Sequence, residues 1–181
     1  MKKSIFRIDR IATLLVLICL ALAIISIASA WFIQLVLGVL PCPLCLEQRL
    51  PYYAGIPMSG LLFVLLRDGR RRLLIKPLLV LLIGCFLFGS ALGVYHAGVE
   101  WAFWAGPTEC TGQLAPMAGA GDLLAQLNTV KVIRCDQVSF RLFGQSLAVW
   151  NSVVTAGMAS LLALALWAEH RRDHGSSSLS Q

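Results

Sequence analysis

The sequence predicts an all-α membrane protein, a four transmembrane helix bundle whose two longer loops lie on the opposite side of the membrane from its termini. Three observations predict it. Of 181 residues, 58% are hydrophobic and 13% charged, and the mean hydropathy is +0.78, too apolar for a soluble domain. Four runs, at about 11–33, 46–66, 73–94 and 147–167, approach or exceed the ~20 apolar residues a hydrocarbon core requires. Finally, eleven of the fifteen Lys and Arg residues flank these runs on one side. Together they describe one integral membrane domain over 1–181.

The first run follows Lys2, Lys3, Arg7 and Arg10; Arg67, Arg70, Arg71, Arg72 and Lys76 join the second to the third; Arg171 and Arg172 follow the fourth. Basic residues stay cytoplasmic, so both termini are expected in the cytoplasm, with loops 34–45 and 95–146 outside. The net charge of +6 is then a consequence of topology, and it calls for a lipid bilayer and no nucleic acid. The basic start and Ala28-Ser29-Ala30 imitate a cleavable leader. However, the apolar run exceeds a leader core of ~7–15 residues and continues through Trp31-Phe32-Ile33, so an uncleaved first span is expected.

The six cysteines sort by depth. At ~1.5 Å per residue, Cys19 falls ~12 Å and Cys85 ~18 Å into their spans, where a thiol serves as a small apolar filler. Cys42, Cys45, Cys110 and Cys135 all fall on the outer side, which in a bacterial envelope is oxidising. Four cysteines allow three pairings, and the local one joins Cys42 to Cys45. Structural disulfides, a zinc site and a redox pair are all open at this point. Zinc is disfavoured because only one close cysteine pair exists, where structural sites usually take two; no metal is expected.

Residues around Cys45 point to chemistry. Leu46 opens the second run, so Cys45 and Arg49 stand four apart and are expected to share a helix face. A cation at the apolar boundary is costly and usually functional, although an arginine can also snorkel to the headgroups. Beside a reactive thiol it could hold an electron-rich carbonyl such as that of a quinone.

The outer segment 95–146 is too small for a core of its own and must lean on the membrane. Asp122 is placed to cap a short helix bearing Leu123, Leu124, Leu127 and Val130, suited to the membrane interface or to packing on the bundle. Trp101, Phe103 and Trp104 fit an interfacial aromatic belt. His96 stands at the membrane level of Arg49. Gly and Pro at Gly106-Pro107, Gly112, Pro116, Gly119 and Gly121 surround Cys110, a composition that loosens the chain there.

Taken in order, Cys42-Pro43-Leu44-Cys45-Leu46-Glu47-Gln48-Arg49, Gly93-Val94-Tyr95-His96, Cys110, Cys135 and Phe143-Gly144 through Trp150-Asn151 resemble the disulfide bond formation protein B (DsbB) family of quinone-linked oxidases in bacterial inner membranes. The resemblance covers nearly the whole chain. It departs at Phe140, where the family favours tryptophan, and is loosest between Cys110 and the fourth span.

The resemblance implies a dithiol:quinone oxidoreductase. A reduced DsbA-like thioredoxin-fold partner would attack a Cys110–Cys135 disulfide, with Cys110 taking the mixed disulfide. Cys135 would then exchange with Cys42, leaving Cys45 as the thiolate that faces the quinone, ubiquinone or menaquinone, drawn from the membrane pool. Arg49, and with it His96, would orient the quinone carbonyl. A vitamin K epoxide reductase-like enzyme also joins four helices to Cys-x-x-Cys, but carries the pair in its last span. A scaffold or transporter subunit with purely structural disulfides is the rival of a different kind.

Overall fold

The computed structural model describes residues 2–68, 72–107, 134–138 and 140–177, with side chains from Arg10 to Asp173. Five α-helices, one 3₁₀ turn and a small hairpin follow in order: α1 (Lys2–Leu35), α2 (Pro43–Glu47), α3 (Leu50–Asp68), the turn Arg72–Leu74, α4 (Ile75–Glu100), β1 (Arg141–Leu142), β2 (Gln145–Ser146) and α5 (Leu147–Ser177). Four segments are long and apolar enough to cross a membrane: Arg10–Leu35, Pro43–Asp68, Arg72–Glu100 and Leu147–Asp173. The expected four-helix bundle is therefore present. The chain packs as a closed square, α1 against α3 and α5, and α4 against α3 and α5.

Inside the square lie Val16, Cys19, Leu62, Leu79, Phe86, Met158 and Leu162, all fully buried. Outside it, Leu14, Ile25, Leu61, Leu81, Phe88 and Val153 are exposed, an apolar surface that lipid tolerates and water does not. With no hydrophobic drive between helices in lipid, close approach depends on small residues. At Gly93 of α4 an added Cβ would stand 2.9 Å from the Ser152 nitrogen and 3.0 Å from the Ala148 oxygen of α5. The backbones of α4 and α5 thus meet at the loop end of the bundle. The opposite end is tied by ions: Lys76 Nζ lies 2.7 Å from Asp173 Oδ2, and Arg172 lies 2.9 Å from the buried Glu169.

Three features depart from the expected boundaries. The second span is broken, because α2 ends at Glu47 and α3 begins at Leu50. Proline explains both starts: Pro43 and Pro51 each occupy a first helical turn, where a missing N–H costs nothing. Pro51 cannot donate back to Glu47, and the chain instead makes tight i to i−3 bonds, Arg49 N to Leu46 O at 3.0 Å and Tyr52 N to Arg49 O at 3.1 Å. Cys45 and Arg49 consequently do not share one continuous helix.

Second, α4 runs on past Val94 to Glu100, and its final turn buries His96, Ala97, Gly98 and Val99. Polar Tyr95, His96 and Glu100 are held by partners, so hydropathy alone ends the helix too soon. Third, Arg141–Leu142 pairs antiparallel with Gln145–Ser146. Phe143 and Gly144, both at positive φ (50° and 81°), form the two-residue turn of mirror-image type that matches strand twist. The expected helix after Asp122 lies outside the described residues.

Candidate functional site

Cys42 ends the extended loop and caps α2, its Sγ accepting from the Cys45 backbone N–H at 3.2 Å. That cap brings the two sulfurs to 2.7 Å, and both thiols are free. Their surroundings differ. Cys42 is 2% exposed and packs in a cluster with Leu44, Val99 and Cys135. Cys45 packs against the edge of that cluster and also lines a cavity of about 320 Å³ between α1, α5 and the Val39–Pro41 segment, which Cys42 does not reach. One thiol of the pair therefore shares a buried cluster with another cysteine, and its neighbour opens on a cavity. The hydrogen bond with Cys45, followed by burial, pushes the Cys42 thiol well up from its usual range.

Cys135 is 1% exposed and disulfide-bonded, and Cys19, Cys42, Cys45 and Cys85 are free. Cys110 lies outside the described residues. Cys19 is fully buried in the bundle core and Cys85 directs its thiol to the Pro51 carbonyl at 3.6 Å. Neither belongs to the Cys42 cluster.

Arg49 is 8% exposed, donates to Gln34 Oε1 at 2.7 Å and stacks over the Trp31 ring at 5.3 Å. It lines the cavity with Cys45, Gln48 and His96, so the break between α2 and α3 still delivers Cys45 and Arg49 to one space. Ile25, Ile33, Leu147 and Val154 supply apolar walls. Ile25 is also 60% exposed on the outer surface of α1, so the cavity reaches the lipid-facing side. Behind it, Tyr52 donates to Asn151 Oδ1 at 2.7 Å, tying α3 to α5.

His96 is not a lone polar residue. Its Nδ1 meets Gln48 Nε2 at 2.7 Å, its Nε2 lies 3.7 Å from Cys42 Sγ and 3.8 Å from Glu100 Oε1, and the Cys135 backbone also hydrogen-bonds to it. An amide nitrogen only donates, so with Gln48 as oriented Nδ1 accepts and Nε2 carries the ring proton. Gln34, Gln48 and Glu100 were missed by sequence reasoning. Glu100 had a signal, standing four residues after His96 on one helix, and Gln34 is a polar interruption at the end of an apolar run.

Two chemistries fit these atoms unequally. The ligand atoms of Cys42, Cys45 and His96 lie within 4.8 Å of one another, a grouping that could hold a soft divalent ion. Two thiolates on a tetrahedral zinc would stand about 3.8 Å apart, given bonds of ~2.3 Å. At 2.7 Å the sulfurs are closer to a disulfide than to a zinc site. The cavity has the size of a small-ligand pocket and the composition of one, apolar walls with a few polar groups. A quinone ring, flat, apolar and bearing carbonyl acceptors, matches walls of Ile33 and Leu147 beside the Arg49 donors.

Comparison with known proteins agrees with this architecture. The chain is 23% identical over 153 residues to an uncharacterized protein of Rickettsia prowazekii (strain Madrid E), covering 83% of this chain and 86% of that protein. No solved structure matches. The sequence model described as "Disulfide bond formation protein DsbB" matches residues 10–165. With most of its length so matched, the chain belongs to the disulfide bond formation protein DsbB family, multi-pass inner-membrane proteins that form disulfide bonds by oxidising thiols.

Proposed function

We propose that the protein is a membrane thiol:quinone oxidoreductase that returns a periplasmic DsbA-like thioredoxin-fold dithiol to its disulfide. Both termini are cytoplasmic in this reading, the four outer cysteines periplasmic, and residues 1–181 act as one unit. The observation that carries it is the division of labour at Cys-x-x-Cys: Cys42 packs with Cys135 and Cys45 opens on the Arg49 cavity.

The order of events follows thiol exchange, in which a thiolate attacks a disulfide sulfur and releases the other. Cys110 receives the partner's thiolate and Cys135 leaves as a thiolate. Cys135, in the same buried cluster as Cys42, attacks the Cys42 sulfur of a Cys42–Cys45 disulfide. Cys45 is the leaving thiolate, and it emerges into the cavity beside the Arg49 cation. The partner's second thiolate then attacks the mixed disulfide and releases Cys110, and Cys110 attacks the Cys135 sulfur of the Cys42–Cys135 bond, restoring the Cys110–Cys135 disulfide and freeing Cys42. A DsbA-like protein is itself a strong oxidant, so its recovery needs an acceptor stronger still. Quinone, ubiquinone or menaquinone, supplies that chemistry by taking two electrons and two protons. Arg49 holds and orients a carbonyl, His96 lines the same cavity with both its ring nitrogens engaged elsewhere, and the Ile25 side of the cavity lets a lipid-soluble molecule enter.

Trapping tests the route. In Cys135→Ser the partner should remain covalently joined through Cys110, and in the unaltered protein acid-quenched alkylation during turnover should catch Cys42 and Cys45 cycling between thiol and disulfide. Disulfides that stay fully oxidised throughout turnover would make the protein a scaffold.

A further inference from the structure

The thiol oxidation assigned above leaves one requirement unmet. For the Cys42–Cys45 bond to close, Cys42 must lose a proton, and Cys42 is buried away from the cavity. Its Sγ has His96 Nε2 beside it at 3.7 Å, and Glu100 Oε1 lies 3.8 Å from the same nitrogen. The Glu100 side chain is only 5% exposed. It bonds to Ser146, yet its Oε2 is buried with no hydrogen-bond partner among the described residues. It is also the last residue of α4, where the negative end of the helix dipole opposes a carboxylate. A buried acid with an idle oxygen at the wrong end of a helix is costly unless it is used.

We propose that Glu100 is the proton-holding partner of His96, receiving through Nε2 the proton that leaves Cys42 as the Cys42–Cys45 disulfide closes. The inference rests on the thiol:quinone reading for its final acceptor. Two S–H bonds are lost and one S–S bond forms; two electrons pass to the quinone, and two protons follow them. One of these protons takes the path Cys42 Sγ, His96 Nε2, Glu100. Gln48 permits the exchange because its amide can turn either its NH₂ or its oxygen to Nδ1. With the oxygen presented, Nδ1 carries a proton, Nε2 is free to accept from Cys42, and the imidazolium so formed has the Glu100 carboxylate as its counter-charge. His96 also lines the cavity, so the stored proton has a way onward. Glu100 touches neither sulfur and reaches the reaction only through His96 Nε2.

Among the described residues, the groups facing this pair are Cys42 before α2, Cys45 of α2, on which the Glu100 charge acts, Gln48 after α2, the Cys135 backbone, Arg141 of β1, whose charge acts on Glu100, and Ser146 of β2.

The test compares Glu100→Gln and Glu100→Asp with the unaltered protein in detergent, over a range of pH, in two assays. One follows quinone reduction; the other omits quinone and follows closure of the Cys42–Cys45 bond by oxidised glutathione, which takes the electrons itself. Glu100→Gln should lower kcat for quinone roughly a hundredfold, the scale of general acid–base contributions, with KM for quinone within about twofold. It should slow closure by glutathione similarly, with both rates now rising steadily with pH as hydroxide replaces the missing base. Glu100→Asp should recover part of both. An unchanged kcat and pH profile would overturn the proposal. So would a loss with an unaltered pH profile and a lowered melting temperature, which would make Glu100 structural. Glutathione closure that responds as expected in a protein inert to quinone would preserve the relay and refute the quinone reading alone.

Discussion

Replacing Arg49 with alanine separates a quinone-binding arginine from one that merely snorkels. The guanidinium is 8% exposed, and one of its nitrogens is committed to Gln34 Oε1 at 2.7 Å. A guanidinium has five N–H donors in a rigid fork, so several remain for an acceptor in the cavity that Arg49 lines. A charge-assisted hydrogen bond to a quinone carbonyl is worth ~1.5–3 kcal/mol, and losing it should raise the apparent KM for quinone roughly ten- to a hundredfold. The substitution also removes the donor to Gln34 Oε1, but Gln34 is only half-buried, so the stability cost should stay below the ~1–3 kcal/mol of a stranded buried acceptor. Arg49→Lys should recover only part, because lysine keeps the charge and loses the planar fork. The assay is quinone reduction at saturating dithiol with quinone varied, beside a check that Cys42 and Cys45 still form their disulfide. If Arg49→Ala binds and reduces quinone as the unaltered protein does, the cavity at α1 and α5 is not the quinone site.

The remaining predictions bear on the bundle and its thiols. Gly93→Ala places a Cβ against the Ser152 nitrogen and the Ala148 oxygen; because backbone cannot yield as a side chain can, it should destabilise by ~1–3 kcal/mol, and an unchanged melting temperature in detergent would deny the close approach of α4 and α5. Cys19→Ala with Cys85→Ala should leave turnover near normal, since neither thiol belongs to the Cys42 cluster, and loss of most activity in a well-folded double variant would contradict that. The raised pKa of Cys42, caused by its hydrogen bond to Cys45 and by burial, keeps it protonated at pH values where an ordinary thiol would begin to ionise. Limited alkylation of the reduced protein at pH 8 should therefore modify Cys45 first, as read by peptide mass spectrometry, and earlier labelling of Cys42 would reverse the assignment of the two thiols.

Much of this architecture was legible in the sequence because lipid imposes a simple rule. A spanning segment must be long, apolar and helical, so four runs announced four spans. The cysteine pair and Arg49 stood out in the sequence as a candidate site because a charge and two thiols at an apolar boundary have no cheap structural explanation, and the fold brings Cys45 and Arg49 to one cavity. Polar residues that satisfy one another were not legible. Tyr95, His96 and Glu100 looked like the end of a span, but Gln48 and the Cys135 segment meet them, and α4 continues to Glu100. The break at Gln48 and Arg49 escaped notice for a related reason: periodicity carries the helix through Pro51, although its missing N–H ends one helix and starts the next. The hairpin around Phe143-Gly144 is only two residues deep on each side, too short for an alternating pattern to show.

The central claim is that electrons pass from a protein dithiol through Cys42 and Cys45 to a quinone held beside Arg49. Quinone reduction by the purified protein, supplied with a reduced DsbA-like protein, tests donor, acceptor and catalysis in one measurement. One quinol should appear for each partner disulfide formed, and Cys42→Ser or Cys45→Ser should abolish both products. Partner oxidation that proceeds at the same rate without quinone, or quinol formation that survives loss of Cys45, would contradict the account.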